Sequence, residues 1–135
     1  MSDRQEIDRL VRQIYEARLS ENLDMLCQAF STSAVFHIAG AGETAPVSNT
    51  AVGSHEIRPL LASMIKTFKL RDHEFLSVLI DGGKAAIHWR AAIYSRITGT
   101  TIPTEFVDLL EFRDTRVVSY TEFFVPRPRN KPRTA

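Results

Sequence analysis

The sequence predicts an α+β domain in which three N-terminal helices pack on one face of a curved antiparallel sheet. Apolar residues recur at helical spacing over the first thirty residues and again near residues 54–68, and segments of strand character separated by short turns follow from residue 72 onward. Sequential strands with short connections are antiparallel, and helices grouped apart from them indicate α+β. With 135 residues, we expect one domain over residues 1–125.

The helices are predicted from apolar stripes at three- and four-residue intervals. The first stripe, on a helix over residues 4–19, consists of Ile7, Leu10, Val11, Ile14, Tyr15 and Arg18. The second and third consist of Leu23, Leu26, Cys27 and Phe30, and of Ile57, Leu61, Met64, Ile65 and Phe68. Ser54 is expected to cap the third helix.

The strands are predicted where the apolar period shortens. AVFHIAG forms the first, and GAGETAPVSNTAVG, rich in Gly, Ser, Thr and Pro, is expected to be a loop. Turns at 81–83, 98–99 and 113–115 then separate HEFLSVLI, AAIHWRAAIYSRI, IPTEFVDLLEF and VVSYTEFFV. These four segments are expected to form consecutive strands.

The charge distribution argues against nucleic-acid binding. The net charge is +1, but four of the basic residues lie in the last ten, PRPRNKPRTA, and without them 13 basic residues face 16 acidic ones. This Pro-rich basic tail, residues 126–135, is expected to be disordered and solvated, with a partner-binding arm as the alternative.

A cytoplasmic location is expected from two features. The polar start, MSDRQEIDRL, lacks the pattern of a secretory signal, and no apolar run is long enough for a membrane span. Cys27 is the single cysteine, which fits a reducing compartment. No metal is expected, because the four histidines lack metal-site spacing, and no cofactor is expected.

Asp108 stands out because it lies in TEFVDLLEF among apolar residues. Strand alternation directs it to the same side as Phe106, Leu110 and Phe112, which we expect to be the core side. A carboxylate there must be paired or protonated, since an unpaired buried charge costs several kcal/mol. Pairing with an arginine such as Arg90 or Arg96 is one interpretation, and a protonated acid is the other.

The order and spacing of four segments resemble the nuclear transport factor 2-like superfamily, in its SnoaL-like and ketosteroid isomerase-like branch. The segments, within residues 5–125, are VRQIYEARLSENLDMLCQAF, AVFHIAG, VGSHEIRPLLASM and EFVDLLEFRDTRVVSYTEFFV. The resemblance implies a cone-shaped fold around an apolar pocket. It also implies that Tyr15 is the oxyanion-hole tyrosine and Asp108 the protonated acid beside it, both facing the pocket.

The position that holds the isomerase's proton-accepting carboxylate falls on Ile38, which cannot accept a proton. The neighbouring His37 would face the pocket only if the strand were irregular. The remaining candidate is Glu122, which shares a face with Tyr120 and Phe124 on the strand next to Asp108. We therefore expect an Asp108–Glu122 dyad, in which two nearby carboxylates push their pKa values apart.

The walls of the pocket follow from the same alternation and the resemblance. The residues expected to contact a ligand are Trp89, Phe106, Tyr120, Phe124 and Ile38. The residues expected on the outer face of the sheet are His88, Arg90, Ala92 and Tyr94. In relatives of this fold the outer face often forms a two-fold interface, so a homodimer is expected.

The function expected from these features is binding of a small apolar or carbonyl-bearing molecule, with isomerase, cyclase or hydratase chemistry by proton transfer. Tyr15, Asp108, Glu122 and His37 are the candidate catalytic residues. Structural roles are the alternative: Tyr15 as a core residue with a satisfied hydroxyl, and Glu122 as a structural or exposed residue. The corresponding functional alternative is a non-catalytic ligand-binding or protein-interaction module.

Overall fold

The computed structural model describes residues 3–42 and 46–127. Within them six strands form one sheet, and three helices pack against it. The helices are α1 Asp3–Leu19, α2 Leu23–Gln28 and α3 Ser54–Thr67. The strands are β1 Phe30–Ala41, β2 Pro46–Val52, β3 Phe68–Asp81, β4 Lys84–Ser95, β5 Thr101–Arg113 and β6 Arg116–Pro126. The α+β fold class predicted from the sequence is confirmed.

The sheet has the strand order β2-β1-β6-β5-β4-β3. Strands β3 to β6 are consecutive antiparallel neighbours, whereas β1 pairs in parallel with β6. The register shifts between Arg71 and Glu74 on β3, and again between Glu111 and Phe112 on β5. Irregularities of this kind bend and twist strands, which gives the sheet its curvature.

The core lies between the helices and one face of the sheet. On β4 and β5 every second residue is buried, and the Trp89 and Phe106 rings stack with centroids 3.8 Å apart. On α1 the buried residues are Ile7, Val11, Ile14, Tyr15, Ala17 and Arg18. The two periods found in the sequence therefore meet in one core.

Strand β2 corrects the expectation of a loop over residues 40–53. Its residues pair with β1 from Val35 opposite Val52 to Ala41 opposite Pro46. The segment PVSNTAV is exposed except at Ala51, so it carries no apolar alternation that could reveal a strand. Pairing with the free edge of β1, rather than burial of its own side chains, makes it extended.

The ends of α2 and α3 also differ from the sequence prediction. Phe30 is the first residue of β1 and not part of the second helix, since α2 ends at Gln28. The N-cap of α3 is Gly53, whose φ of 78° suits glycine, and Ser54 is the first helical residue. The backbone N–H of Val52 donates to the Glu56 side chain at 2.9 Å in this turn.

The beginning of the predicted tail belongs to the sheet. Strand β6 continues to Pro126, and Arg127 donates to Oε2 of Glu105 from two nitrogens, at 2.7 and 3.1 Å. Residues 128–135, for which disorder was expected, lie outside the described part of the chain.

We predict that Gly40→Ala destabilises the fold by about 1–3 kcal/mol, the usual cost of overpacking. Gly40 pairs with Phe124 across β1 and β6, and a Cβ there would lie 2.6 Å from the Phe124 ring and 2.7 Å from its carbonyl oxygen. Urea denaturation should show a lower midpoint with an unchanged slope. A midpoint equal to that of the wild type would contradict this account of the β1–β6 contact.

Candidate functional site

A cavity of about 600 Å³ lies between the helices and the sheet. Its wall is largely apolar and includes Ile38, Leu60, Leu61, Met64, Phe106 and Phe124. Exposed polar residues mark its open end: Asn49, Ser63, Thr98 and Thr100. Buried residues, among them Arg18 and Glu122, mark its closed end. The cavity therefore suits a mainly apolar molecule with one polar group directed inward.

The closed end is formed by an ion pair between α1 and β6. Nη1 of Arg18 lies 2.7 Å from Oε1 of Glu122 and donates to the Tyr120 hydroxyl at 3.1 Å. The Arg18 and Glu122 side chains are only 8% and 3% exposed. Burial alone would lower the pKa of Arg18, but the Glu122 carboxylate and its neighbours raise it well above its ordinary value, so the guanidinium stays charged.

Asp108 lies behind this ion pair and is fully buried. Its Oδ2 accepts hydrogen bonds from the hydroxyls of Tyr15 and Tyr120, the latter at 2.6 Å, and from Nε1 of Trp89 at 2.9 Å. Nη1 of Arg18 lies 3.7 Å from the same oxygen. Among the described residues, Oδ1 has no hydrogen-bond partner. One carboxylate oxygen is thus crowded with donors while the other is unsatisfied.

Burial raises the pKa of Asp108 to about 7, with the negative charge of Glu122 as the second cause. Arg18 and the two tyrosine hydroxyls act in the opposite direction, because they stabilise the charged form. Asp108 and Glu122 are direct partners across β5 and β6. In the described part of the chain, the site therefore holds two adjacent carboxyl groups and a single guanidinium.

Tyr15 and Asp108, expected to face the pocket, do not line the cavity. The Tyr15 hydroxyl donates to Asp108, and Asp108 is covered by the donors around it. Trp89 and Tyr120, expected to contact a ligand, also lie behind the wall, where both donate to Asp108. These four residues form a buried layer behind the closed end of the cavity. Their polar groups hydrogen-bond to one another and do not point into the cavity.

Four other predicted residues do line the cavity: Ile38, Phe106, Glu122 and Phe124. His37 does not, because β1 alternates regularly there, and its Nδ1 lies 2.7 Å from Oγ1 of Thr50 on β2. Its expected role in proton transfer therefore has no support in the geometry. The roles of the other four stay predictions.

Arg18 is the site residue that sequence reasoning did not single out. The arginines considered as partners of Asp108 lie elsewhere: Arg90 pairs with Glu74, and Arg96 binds Glu21 and the carbonyl oxygen of Ile65. The position of Arg18 in the apolar stripe of α1 could have indicated this role, because a charged residue on a buried helix face needs a buried partner.

Neither a metal site nor a membrane-spanning helix is observed in residues 3–42 and 46–127. No group of three or more His, Cys, Asp or Glu side chains is placed to hold a metal ion. None of the helices in this part of the chain combines the length and apolar character that a membrane span requires.

The fold and the site define a small α+β protein with an apolar cavity that is closed at one end by a buried ion pair. The family sequence model of the SnoaL-like domain matches residues 11–120, so the chain belongs to the SnoaL-like family. No curated protein sequence matches it.

Solved structures share the fold at low sequence identity. A candidate isomerase of Bacillus subtilis superposes with a TM-score of 0.79 at 17% identity, covering 92% of this chain and 89% of the other. For an LEH-like epoxide hydrolase of M. tuberculosis the values are 0.70 and 16%, with 89% and 83% covered. Bal32a, from a soil-derived mobile gene cassette, gives 0.73 and 23%, with 91% and 92% covered. At these identities the likeness concerns the fold.

We predict that Asp108 makes the stability of the protein fall as pH rises from about 4 to 7. Because its folded-state pKa of about 7 exceeds its ordinary 3.8, the stabilisation is complete below pH 3.8 and is lost as pH passes 7. Across this window the contribution amounts to about 4 kcal/mol at most. Urea denaturation of wild type and Asp108→Asn should show a stability difference that declines with pH. A difference independent of pH would contradict the raised pKa.

Proposed function

We propose that this SnoaL-like protein binds a mainly apolar small molecule in its cavity and transfers a proton at a carbon next to the molecule's carbonyl group. The observation that carries the proposal is the Arg18–Glu122 pair at the closed end of an apolar cavity. It combines a proton acceptor with a fixed positive charge in a site shielded from water, which are the two groups that enolate formation needs.

The chemistry assigned to Glu122 rests on its free oxygen. Oε1 is held by Arg18, whereas Oε2 accepts no hydrogen bond from the described residues, so it is the oxygen available to a ligand. The carboxylate would remove the proton, the C–H electron pair would become the C=C bond of an enolate, and the π pair of the carbonyl would move onto its oxygen. In a substrate with a C=C bond next to the deprotonated carbon the enolate is a dienolate. Returning the proton to the far carbon of that bond then completes an isomerisation without a cofactor.

Arg18 would stabilise the oxygen that gains charge. The hydrogen bonds of its side chain to described residues all use Nη1, which leaves the other N–H groups of the guanidinium for a carbonyl oxygen. A donor of this kind contributes about 2.7–4 kcal/mol to catalysis in other enzymes. The solved relatives named as a candidate isomerase and as an epoxide hydrolase support small-molecule chemistry in this fold, without identifying a substrate.

The proposed proton transfer can be tested without knowing the substrate. Cyclic ketones of increasing size are incubated with the protein in D₂O, and NMR follows deuterium entry beside the carbonyl. We expect exchange by the wild type and a decrease of about 10²–10⁴-fold for Glu122→Gln. Glu16→Gln, at an exposed position of α1, is the matched control and should behave as the wild type.

Ketones that bind to the cavity without any exchange above buffer would reject the catalytic proposal. That result would favour the alternative function, a ligand-binding module that uses the same cavity without chemistry. Exchange that is unaffected by Glu122→Gln would instead assign the proton transfer to another residue.

We further propose that the protein is cytoplasmic and forms a homodimer through the outer face of the sheet. On this face the neighbouring strands β5 and β6 expose three apolar residues, Val107, Leu109 and Phe123, which are 38–46% accessible, and Val107 is the direct partner of Phe123. Contiguous exposed apolar residues are typical of interfaces. The single cysteine supports the cytoplasmic location.

Sedimentation velocity at micromolar concentration should show a dimer that Leu109→Glu dissociates, because a two-fold interface places this charge twice in an apolar contact. Ile97→Glu, in the exposed turn after β4, should not affect it. A wild-type monomer would contradict the proposed dimer.

A further inference from the structure

The buried charges at the closed end of the cavity do not balance. Asp108 and Glu122 lie opposite each other on β5 and β6, and one guanidinium, that of Arg18, lies between them. Arg18 is 2.7 Å from Glu122 but 3.7 Å from Asp108, so it neutralises Glu122 directly. When Asp108 is ionised, the cluster carries one excess negative charge.

Within residues 3–42 and 46–127, no second cation faces Asp108 from the elements packed around it. From α1 it faces Tyr15 and Arg18, from β6 Tyr120 and Glu122, and from β4 the uncharged Trp89. Burial raises the pKa of both tyrosines well above their ordinary value, so they are neutral near pH 7.

His73 on β3 is the remaining titratable side chain nearby. Its ring packs against Tyr15 and Trp89, with centroids 5.6 and 5.3 Å away. Burial, with Arg18 as the second cause, lowers its pKa, and this favours the neutral ring near pH 7. The charge of Asp108 is therefore not compensated by histidine either.

The excess charge lies close enough to the cavity to act on a ligand. Arg18 and Glu122 are on the cavity wall, and Asp108 is directly behind them. Glu21 is the other charged side chain among the described lining residues, and Arg96 binds it at 3.0 Å. Because the wall is apolar and the cluster buried, the field of Asp108 is weakly screened.

We infer that Asp108, although it lies outside the cavity, determines how the cavity discriminates ligands by charge: it favours cationic over anionic molecules when Asp108 is ionised, and it loses this preference when Asp108 is protonated. This inference rests on the proposed function only in requiring that the cavity binds a small molecule. The raised pKa of Asp108, about 7, means that the change falls near neutral pH. Asp108 is thus a specificity-determining residue that touches no substrate.

The test uses three fluorescent probes that share a dansyl group and differ in charge: dansylamide, dansylglycine and dansylaminoethyl-trimethylammonium. Their dissociation constants are measured between pH 5.5 and 8.5. The neutral dansylamide should bind with an affinity that changes less than about twofold. From low to high pH, affinity for the cationic probe should rise about tenfold or more, while affinity for the anionic dansylglycine falls, as expected for one nearby buried charge.

Asp108→Asn should remove both pH dependences, whereas Asp81→Asn, at the exposed end of β3, should keep them. Circular dichroism checks that each variant is folded. Should Asp108→Asn not fold, Tyr120→Phe provides a second test. It removes a hydrogen bond that lowers the pKa of Asp108, so the midpoint of the affinity change should move to higher pH.

Binding of the probes with no dependence on their charge or on pH would overturn this inference and leave the proposed function standing. An affinity change that persists in folded Asp108→Asn would also overturn it, because another group would then be responsible. Failure of all three probes to bind would overturn the proposed function and this inference together.

Discussion

The structure depends on placing a charged guanidinium inside an apolar fold. Arg18 lies on the buried face of α1, and its charge is tolerable only because Glu122 reaches it from β6. Removing one partner of a buried ion pair typically costs 3–5 kcal/mol, since it leaves a charge without compensation. The pair joins α1 to the sheet and forms the closed end of the cavity, and both of its members act on the pKa of Asp108.

The residues behind the Arg18–Glu122 pair combine polar contacts with close packing of the core. Tyr15, Tyr120 and Trp89 each present an aromatic body to the core and one donor to Oδ2 of Asp108. Stacking of Trp89 on Phe106 then connects this polar layer to the cavity wall. A hydrophobic core and a polar network therefore share the same side chains, which makes the site sensitive to changes that do not touch a ligand.

Much of this arrangement could be predicted from the sequence, because periodicity determines which side of a helix or strand a residue occupies. Helical spacing identified the stripe that contains Tyr15, and strand alternation put Asp108 and Glu122 on the same side of adjacent strands. What alternation cannot provide is depth. It did not distinguish a side chain on the cavity wall from one behind it, which is why Tyr15 and Asp108 were expected to face the pocket.

The parallel pairing of β1 with β6 has a consequence for how the chain reaches this state during synthesis. Arg18 and Glu122 are 104 residues apart, and the middle of the sheet is complete only when β6 inserts beside β1. Until β6 has left the ribosome, Arg18 on α1 cannot form its ion pair with Glu122. Contacts at such separation form slowly. The edge of β1 therefore stays unpaired until β6 has emerged, and during that time the nascent chain is open to edge-to-edge aggregation.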